Sequence, residues 1–380
     1  MLFWEFYRNI NFYCKKGCFN ANLWYNYINN ILLLFFDCLR VYGYMYYGGI
    51  LMERVLNLVD FGEISKDSML TEINTTTNNE FTVGKDGVNA IVTTPDKKVE
   101  LVGFSDKTIA CVPSVLRYNA FYPIYPVSME KPVKAVLMDL DGTSVKSEEF
   151  WMYVIEQSMA TLMNNPKFTL EDADAPFVAG HSVSEHLCYC IEKYCPDKKL
   201  ADARKIYYEK VDFELKEIMQ GRGHKDAFTP TEGLKDFLYL LKDKGIKIGL
   251  VTSGLYEKAM PEIISAFRTL DMGDPVDFYD AIITAGNAFK KGQTGNMSEF
   301  PIKPHPWVYS ETGVYGLGIP FEERNSVVAI EDSGAGVCSA RIAGYTTIGL
   351  AGGNIVKGGT LDFCQHYENT LEDIAKIILD

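Results

Sequence analysis

Seven residues at four separated places in the chain could act on one phosphoryl group: Asp139 and Asp141, Thr252 and Ser253, Lys303, and Glu331 with Asp332. A carboxylate is a competent nucleophile for phosphorus. Nucleophile and phosphoryl group are both anionic, so a hard cation must neutralise them. All-oxygen ligands such as Asp139 and Asp332 suit Mg²⁺. Lys303 and the Thr252 hydroxyl can hold phosphoryl oxygens while charge redistributes in the transition state. A second carboxyl group, Asp141, can protonate the leaving oxygen and later deprotonate a water, help typically worth ~10²–10⁴-fold. The barrier to monoester hydrolysis is far larger, so electrostatics and positioning must supply most of the rest.

These residues can cooperate only if the fold brings them to one edge. Val133 to Leu140 is a nearly continuous apolar run ending in acid, as expected of a strand buried on both faces of a parallel sheet. Comparable strands are predicted at Ile246–Thr252, Ala281–Thr284, Val327–Ile330 and Thr346–Leu350. Helical patterns over Leu234–Lys244, Glu257–Thr269 and Gly336–Ala343 separate them, which implies a doubly wound α/β sheet. Ligands of such sheets sit at the carboxyl ends of the strands, where the candidate residues fall, with Lys303 in the loop before the fourth strand. About a hundred residues, mainly helical in pattern, lie between the first two strands, with helices predicted at Glu148–Asn164, Ser184–Tyr194 and Leu200–Met219. An insertion of that size is too long for a crossover and predicts a separate cap.

The flanking sequence is different in kind. Residues 1–51 are rich in aromatics and Asn and poor in charge, and the apolar run Ile31–Phe36 is too short to span a membrane. They read as an atypical extension outside the native enzyme, with Met52 as its start. Residues 52–130 read as a small β-containing appendage, with strands at Phe81–Val83, Val88–Thr93 and Val99–Phe104. Pro123, Pro126 and Pro132 then mark a linker. A net charge of −13 argues against nucleic acid. Nine Cys in an odd, scattered set suit a reducing cytoplasm, and no membrane association is expected.

The four clusters also carry a resemblance. DLDGT (Asp139–Thr143), LVTSG (Leu250–Gly254), IKPHP (Ile302–Pro306) and IEDSGAG (Ile330–Gly336) resemble, in order, the four signatures of the haloacid dehalogenase superfamily. The likeness runs from Val133 to Asp380 and is nearest to the phosphoglycolate phosphatase and β-phosphoglucomutase group. It implies a Rossmann-like core over 131–147 and 229–380 with a helical cap at 148–228. It implies Mg²⁺ held by the Asp139 carboxylate, the Asp141 backbone carbonyl and Asp332, with Glu331 a direct or water-mediated ligand. Thr252, Ser253 and Lys303 become the phosphate-binding set.

Within that group the details favour hydrolysis. Asp141 is present, whereas dehalogenases lack a second Asp. Sugar-phosphate mutases usually carry a His about ten residues further on, but Lys146–Met152 has none and places Trp151 there. The expected cap loop, Gly180–Cys190, lacks the Lys or Arg that would grip a second phosphate. Its polar residues His181, Ser182, Glu185 and His186 are the candidates for substrate selection, with a helix-capping role open for Ser182 or Ser184. His305, between two prolines, reads as structural. The expected activity is a Mg²⁺-dependent phosphomonoesterase acting on a small phosphorylated metabolite. A β-phosphoglucomutase-like isomerase and a phosphate-binding module without turnover are the alternatives, and the sequence leaves oligomeric state open.

Overall fold

A computed structural model of the chain describes residues 44–47, 50–53, 56–113, 119–174, 183–286 and 302–380. Two compact units divide after Leu56. In the first, strands Tyr44–Tyr47 and Ile50–Glu53 form an antiparallel hairpin, so the compositional boundary at Met52 falls inside a paired strand. The rest of the amino-terminal extension lies outside the described residues.

The second unit is built on a six-stranded parallel sheet. Its strands are β1 (Ala135–Asp139), β2 (Lys247–Leu255), β3 (Ala281–Gly286), β4 (Val327–Glu331), β5 (Thr346–Leu350) and β6 (His366–Glu368), in spatial order β3-β2-β1-β4-β5-β6. Every residue of β1, β4 and β5 is buried, which explains their unbroken apolar runs. The chain leaves β1 towards β2 on one side and returns to β4 on the other, with Ala135 opposite both Lys247 and Val327. That reversal opens a crevice at the carboxyl end of β1, beside Asp139. The edge strand β6 was not expected; three residues containing His366 and Glu368 give no apolar signal.

Amphipathic helices cover both faces. Helix α4 (Leu234–Asp243) buries Leu234, Phe237, Leu238 and Leu241, an i, i+3, i+4, i+7 stripe. Helix α5 (Tyr256–Leu270) follows β2, α6 (Gly334–Ile342) follows β4, and α7 (Leu371–Leu379) closes the chain. Between β1 and β2 stands the helical insert, made of α1 (Glu148–Leu162), α2 (Val183–Tyr194) and α3 (Leu200–Met219). Helix α3 presents Ala203, Tyr207, Val211, Leu215 and Ile218 inward, and the insert's apolar residues join the same hydrophobic cluster as one face of the sheet. A two-residue ladder, Val145–Lys146 against Thr229–Pro230, ties the insert's entry to its exit. No helix among the described residues is long and apolar enough to cross a membrane.

The appendage is a five-stranded antiparallel meander of Thr71–Glu72, Ala90–Thr93, Glu100–Gly103, Thr108–Pro113 and Asn119–Pro123. Phe81–Val83 is not a strand. The segment makes one isolated antiparallel bridge, Thr82 to Thr75, and Phe81 packs edge-on against Phe104 and Phe121. Conversely, Thr108–Pro113 and Asn119–Pro123 do pair, and Pro123 ends the last strand before the linker begins. The meander is fastened to the core. Buried Arg341 of α6 donates to the carbonyls of Tyr125 (2.8 Å) and Asp60 (2.6 Å), and Ser68 donates to Asp362 at 2.7 Å.

Candidate active site

At the end of β1, Asp139 is 5% exposed, and its carboxylate accepts a hydrogen bond from the Lys303 ammonium. The same ammonium donates to Glu331 Oε1 at 2.6 Å, and Tyr309 Oη donates to that oxygen at 2.6 Å. Asp332 accepts from Thr143 Oγ1 at 3.2 Å. Asp139, Glu331 and Asp332 each present a carboxylate oxygen, and the three oxygens lie within 4.8 Å of one another. One ammonium therefore faces three carboxylates.

The electrostatics follow from that imbalance. Burial, then repulsion by Glu331, raise the Asp139 pKa well above the usual carboxylate range, with Lys303 opposing. Burial and Glu331 push Asp332 up to about 8, with Thr143 and Lys303 opposing. Burial works against the charge on Lys303, but Asp139 and Glu331 outweigh it and raise its pKa. A hard cation fits this all-oxygen, electron-rich set and would remove the repulsion.

The backbone is shaped around the carboxylates. Gly142 has φ +87°, and a Cβ there would stand 2.1 Å from Asp332 Oδ2. A Cβ at Gly336, in the first turn of α6, would stand 1.9 Å from the Glu331 carboxyl carbon. The glycines of the first and fourth motifs thus leave room for the Asp332 and Glu331 carboxylates. Ser333 caps α6 by accepting from Gly336 N at 3.1 Å and also donates to Glu331 Oε2 at 3.0 Å.

Asp141 stands on the other side of the crevice, accepting from Ser147 Oγ at 2.6 Å and Thr252 Oγ1 at 3.4 Å. Gly254 N donates to Thr252 Oγ1 at 2.8 Å, and Lys303 N donates to Ser253 Oγ at 3.2 Å. All seven core candidates therefore meet at one edge of the sheet.

The insert candidates divide. His181 and Ser182 lie outside the described residues. Glu185 pairs with Lys98 of the appendage at 3.1 Å. His186 is 5% exposed, its ring centroid 5.7 Å from that of Tyr207 inside the insert. Ser184 accepts a hydrogen bond from Arg204.

Sequence reasoning missed Lys258 and Glu262, one turn apart on α5. Lys258 Nζ lies 3.7 Å from the centre of the Trp151 ring and 3.2 Å from Tyr207 Oη, so a core helix grips both α1 and α3. Glu262 is 1% exposed; burial, then repulsion from Asp141, raise its pKa well above the usual range. The i, i+4 spacing of a cation and an acid just beyond LVTSG was the available signal, but it is also that of an ordinary surface pair.

Residues 136–350 match the family described as haloacid dehalogenase-like hydrolase. No curated protein matches the chain. Among solved structures, the chain is similar to CbbY from Rhodobacter sphaeroides in complex with phosphate, at 18% identity over 64% of this chain and 96% of that one (TM-score 0.46). It is similar to a HAD hydrolase of family IA, variant 3, from Entamoeba histolytica, at 19% identity over 65% and 97% (TM-score 0.48). A predicted phosphoglycolate phosphatase from Haemophilus somnus shares 18% identity over 65% and 98% (TM-score 0.47).

Proposed function

The chain belongs to the haloacid dehalogenase-like hydrolases, and from that membership we propose that it is a Mg²⁺-dependent phosphatase of a small phosphorylated metabolite, working through an aspartyl-phosphate on Asp139. The observation that carries this reading is the single Lys303 ammonium set among Asp139, Glu331 and Asp332. Asp139, Asp332 and the Asp141 carbonyl would hold Mg²⁺, with Glu331 behind them. The ion supplies charge neutralisation between the carboxylates and the phosphoryl oxygens.

The chain's own residues do the rest. Asp139 attacks phosphorus, and the Lys303 ammonium and Thr252 hydroxyl hold the equatorial oxygens as their charge changes. Asp141 gives a proton to the departing oxygen, then takes one from the water that cleaves the acyl phosphate. Ser147 and Thr252 fix Asp141 for both roles. The helical insert acts as the cap that meets the rest of the substrate and excludes bulk water. Trp151 occupies the hinge position at which mutases carry His, which favours hydrolysis over return of the phosphoryl group.

The test is phosphate release from a panel of phosphorylated metabolites, with and without Mg²⁺, for the wild type and Asp139→Asn. The amide keeps the shape but is a poor nucleophile, so turnover should vanish while the fold survives. A folded variant retaining more than about a tenth of wild-type activity would rule out the covalent route. An isomeric sugar phosphate formed faster than inorganic phosphate would replace the hydrolase with a mutase.

A further inference from the structure

The amino-terminal meander lies outside the family match, yet its last strand grips the loop that carries Lys303. Tyr122 Oη lies 2.8 Å from His305 Nδ1. The two rings also meet edge to face, their centroids 5.9 Å apart. His305 itself is 6% exposed, and its carbonyl accepts from Ser339 Oγ of α6 at 2.5 Å.

Tyr122 Oη and His305 Nδ1 share one hydrogen, and the tautomer of the ring sets which of them donates. Burial lowers the His305 pKa, which agrees with a neutral ring.

We infer that the amino-terminal meander is a working part of the active site, with Tyr122 and His305 as positioning residues that set the Lys303 ammonium between Asp139 and Glu331. The inference rests on the phosphatase reading for its kinetic consequence, though not for its geometry. His305 is two residues from Lys303, and its Nδ1 and its carbonyl are tied to the last meander strand and to α6. The loop between Lys303 and the short helix Trp307–Glu311 therefore has no independent freedom at its centre. An ammonium misplaced by about 1 Å costs on the order of 10²-fold in rate, whereas ground-state binding of the ester suffers little.

The experiment compares wild type with Tyr122→Phe in the full-length protein. It combines steady-state hydrolysis of an aryl phosphate with Mg²⁺, ¹⁵N NMR of the His305 ring, and amide shifts of Lys303 and Glu331. The His305 Nδ1 resonance should move in the variant. Tyr122→Phe, which keeps the ring but removes the hydroxyl that pairs with Nδ1, should lower kcat by about 10–100-fold with KM changed less than about threefold. It should also shift Lys303 and Glu331. Unchanged kcat in a folded Tyr122→Phe enzyme would overturn the inference, as would an unmoved Nδ1 resonance. If the wild type hydrolyses no monoester, the phosphatase reading falls. The NMR arm then decides the positioning claim, because undisturbed Lys303 and Glu331 in Tyr122→Phe would refute it without any turnover.

Discussion

The cavity at Gly142 allows a sharp test of the metal side. Gly142→Ala adds one methyl group at φ +87°, 2.1 Å from Asp332 Oδ2 and 2.6 Å from its carboxyl carbon. An L-residue in this region pays about 1–2 kcal/mol of backbone strain. In a domain of this size that is a fall in Tm of about 2–8 °C. The larger effect is local. Ordinary contact begins near ~3.4 Å, so the carboxylate must retreat by about 1.3 Å, and Thr143 Oγ1 loses its acceptor. Losing the placement of one metal-side carboxylate should weaken Mg²⁺ about 10–100-fold and lower kcat/KM by at least about 10²-fold at fixed Mg²⁺. Titration calorimetry with Mg²⁺, thermal unfolding without metal, and turnover across a Mg²⁺ series separate the two costs. A variant that loses the expected Tm while binding Mg²⁺ within about threefold of wild type would refute the reasoning. Asp332 would then not hold the metal.

Two further outcomes follow from the same geometry. Asp141→Asn should keep Mg²⁺ affinity but slow turnover, about 10²–10⁴-fold for alkyl esters and less for aryl esters, whose leaving groups need little protonation; equal losses across a leaving-group series would remove the acid role. For pH, Asp332 rises from an ordinary 3.8 to about 8. A carboxyl raised on folding stabilises the native state fully below the unfolded pKa and loses that contribution as pH climbs through the folded one. The metal-free protein should therefore lose stability from about pH 4 towards 8, while Mg²⁺ affinity grows about tenfold per pH unit as one bound proton is displaced. Calorimetry in buffers of different ionisation heats reads that proton, and a flat Mg²⁺ affinity from about pH 6 to 8 would exclude it.

What the sequence made legible depended on how locally each feature is specified. Strands β1, β4 and β5 are buried on both faces, so their runs had to be apolar throughout, and three of the four motifs stand at strand ends, the Lys303 motif alone lying in a loop. Strand β6 is partly exposed and three residues long, leaving nothing to read. The turn at Phe81–Val83 misled because aromatics that pack and aromatics that pair look alike in sequence. Glu262 looked like half of a surface ion pair, and only the fold shows that Asp141 is its neighbour. The clamp on His305 had no local signature at all. Its partners come from the last meander strand and from α6, and no periodicity links them.

Those separations also put the clamp on a clock. Tyr122 and His305 are 183 residues apart, and Ser65 meets Asp362 across 297. A ribosome adding about 5–20 residues per second needs roughly 10–40 s to supply His305 after Tyr122, and about 15–60 s to bring Asp362 to Ser65. The meander is made first and seated late. During that interval the face destined for α6 and the Lys303 loop stands open to water and to other nascent chains. The enzyme therefore acquires its ammonium seat only once the carboxyl-terminal half of the sheet has emerged, and agents that shield half-made chains will govern how much of it becomes active.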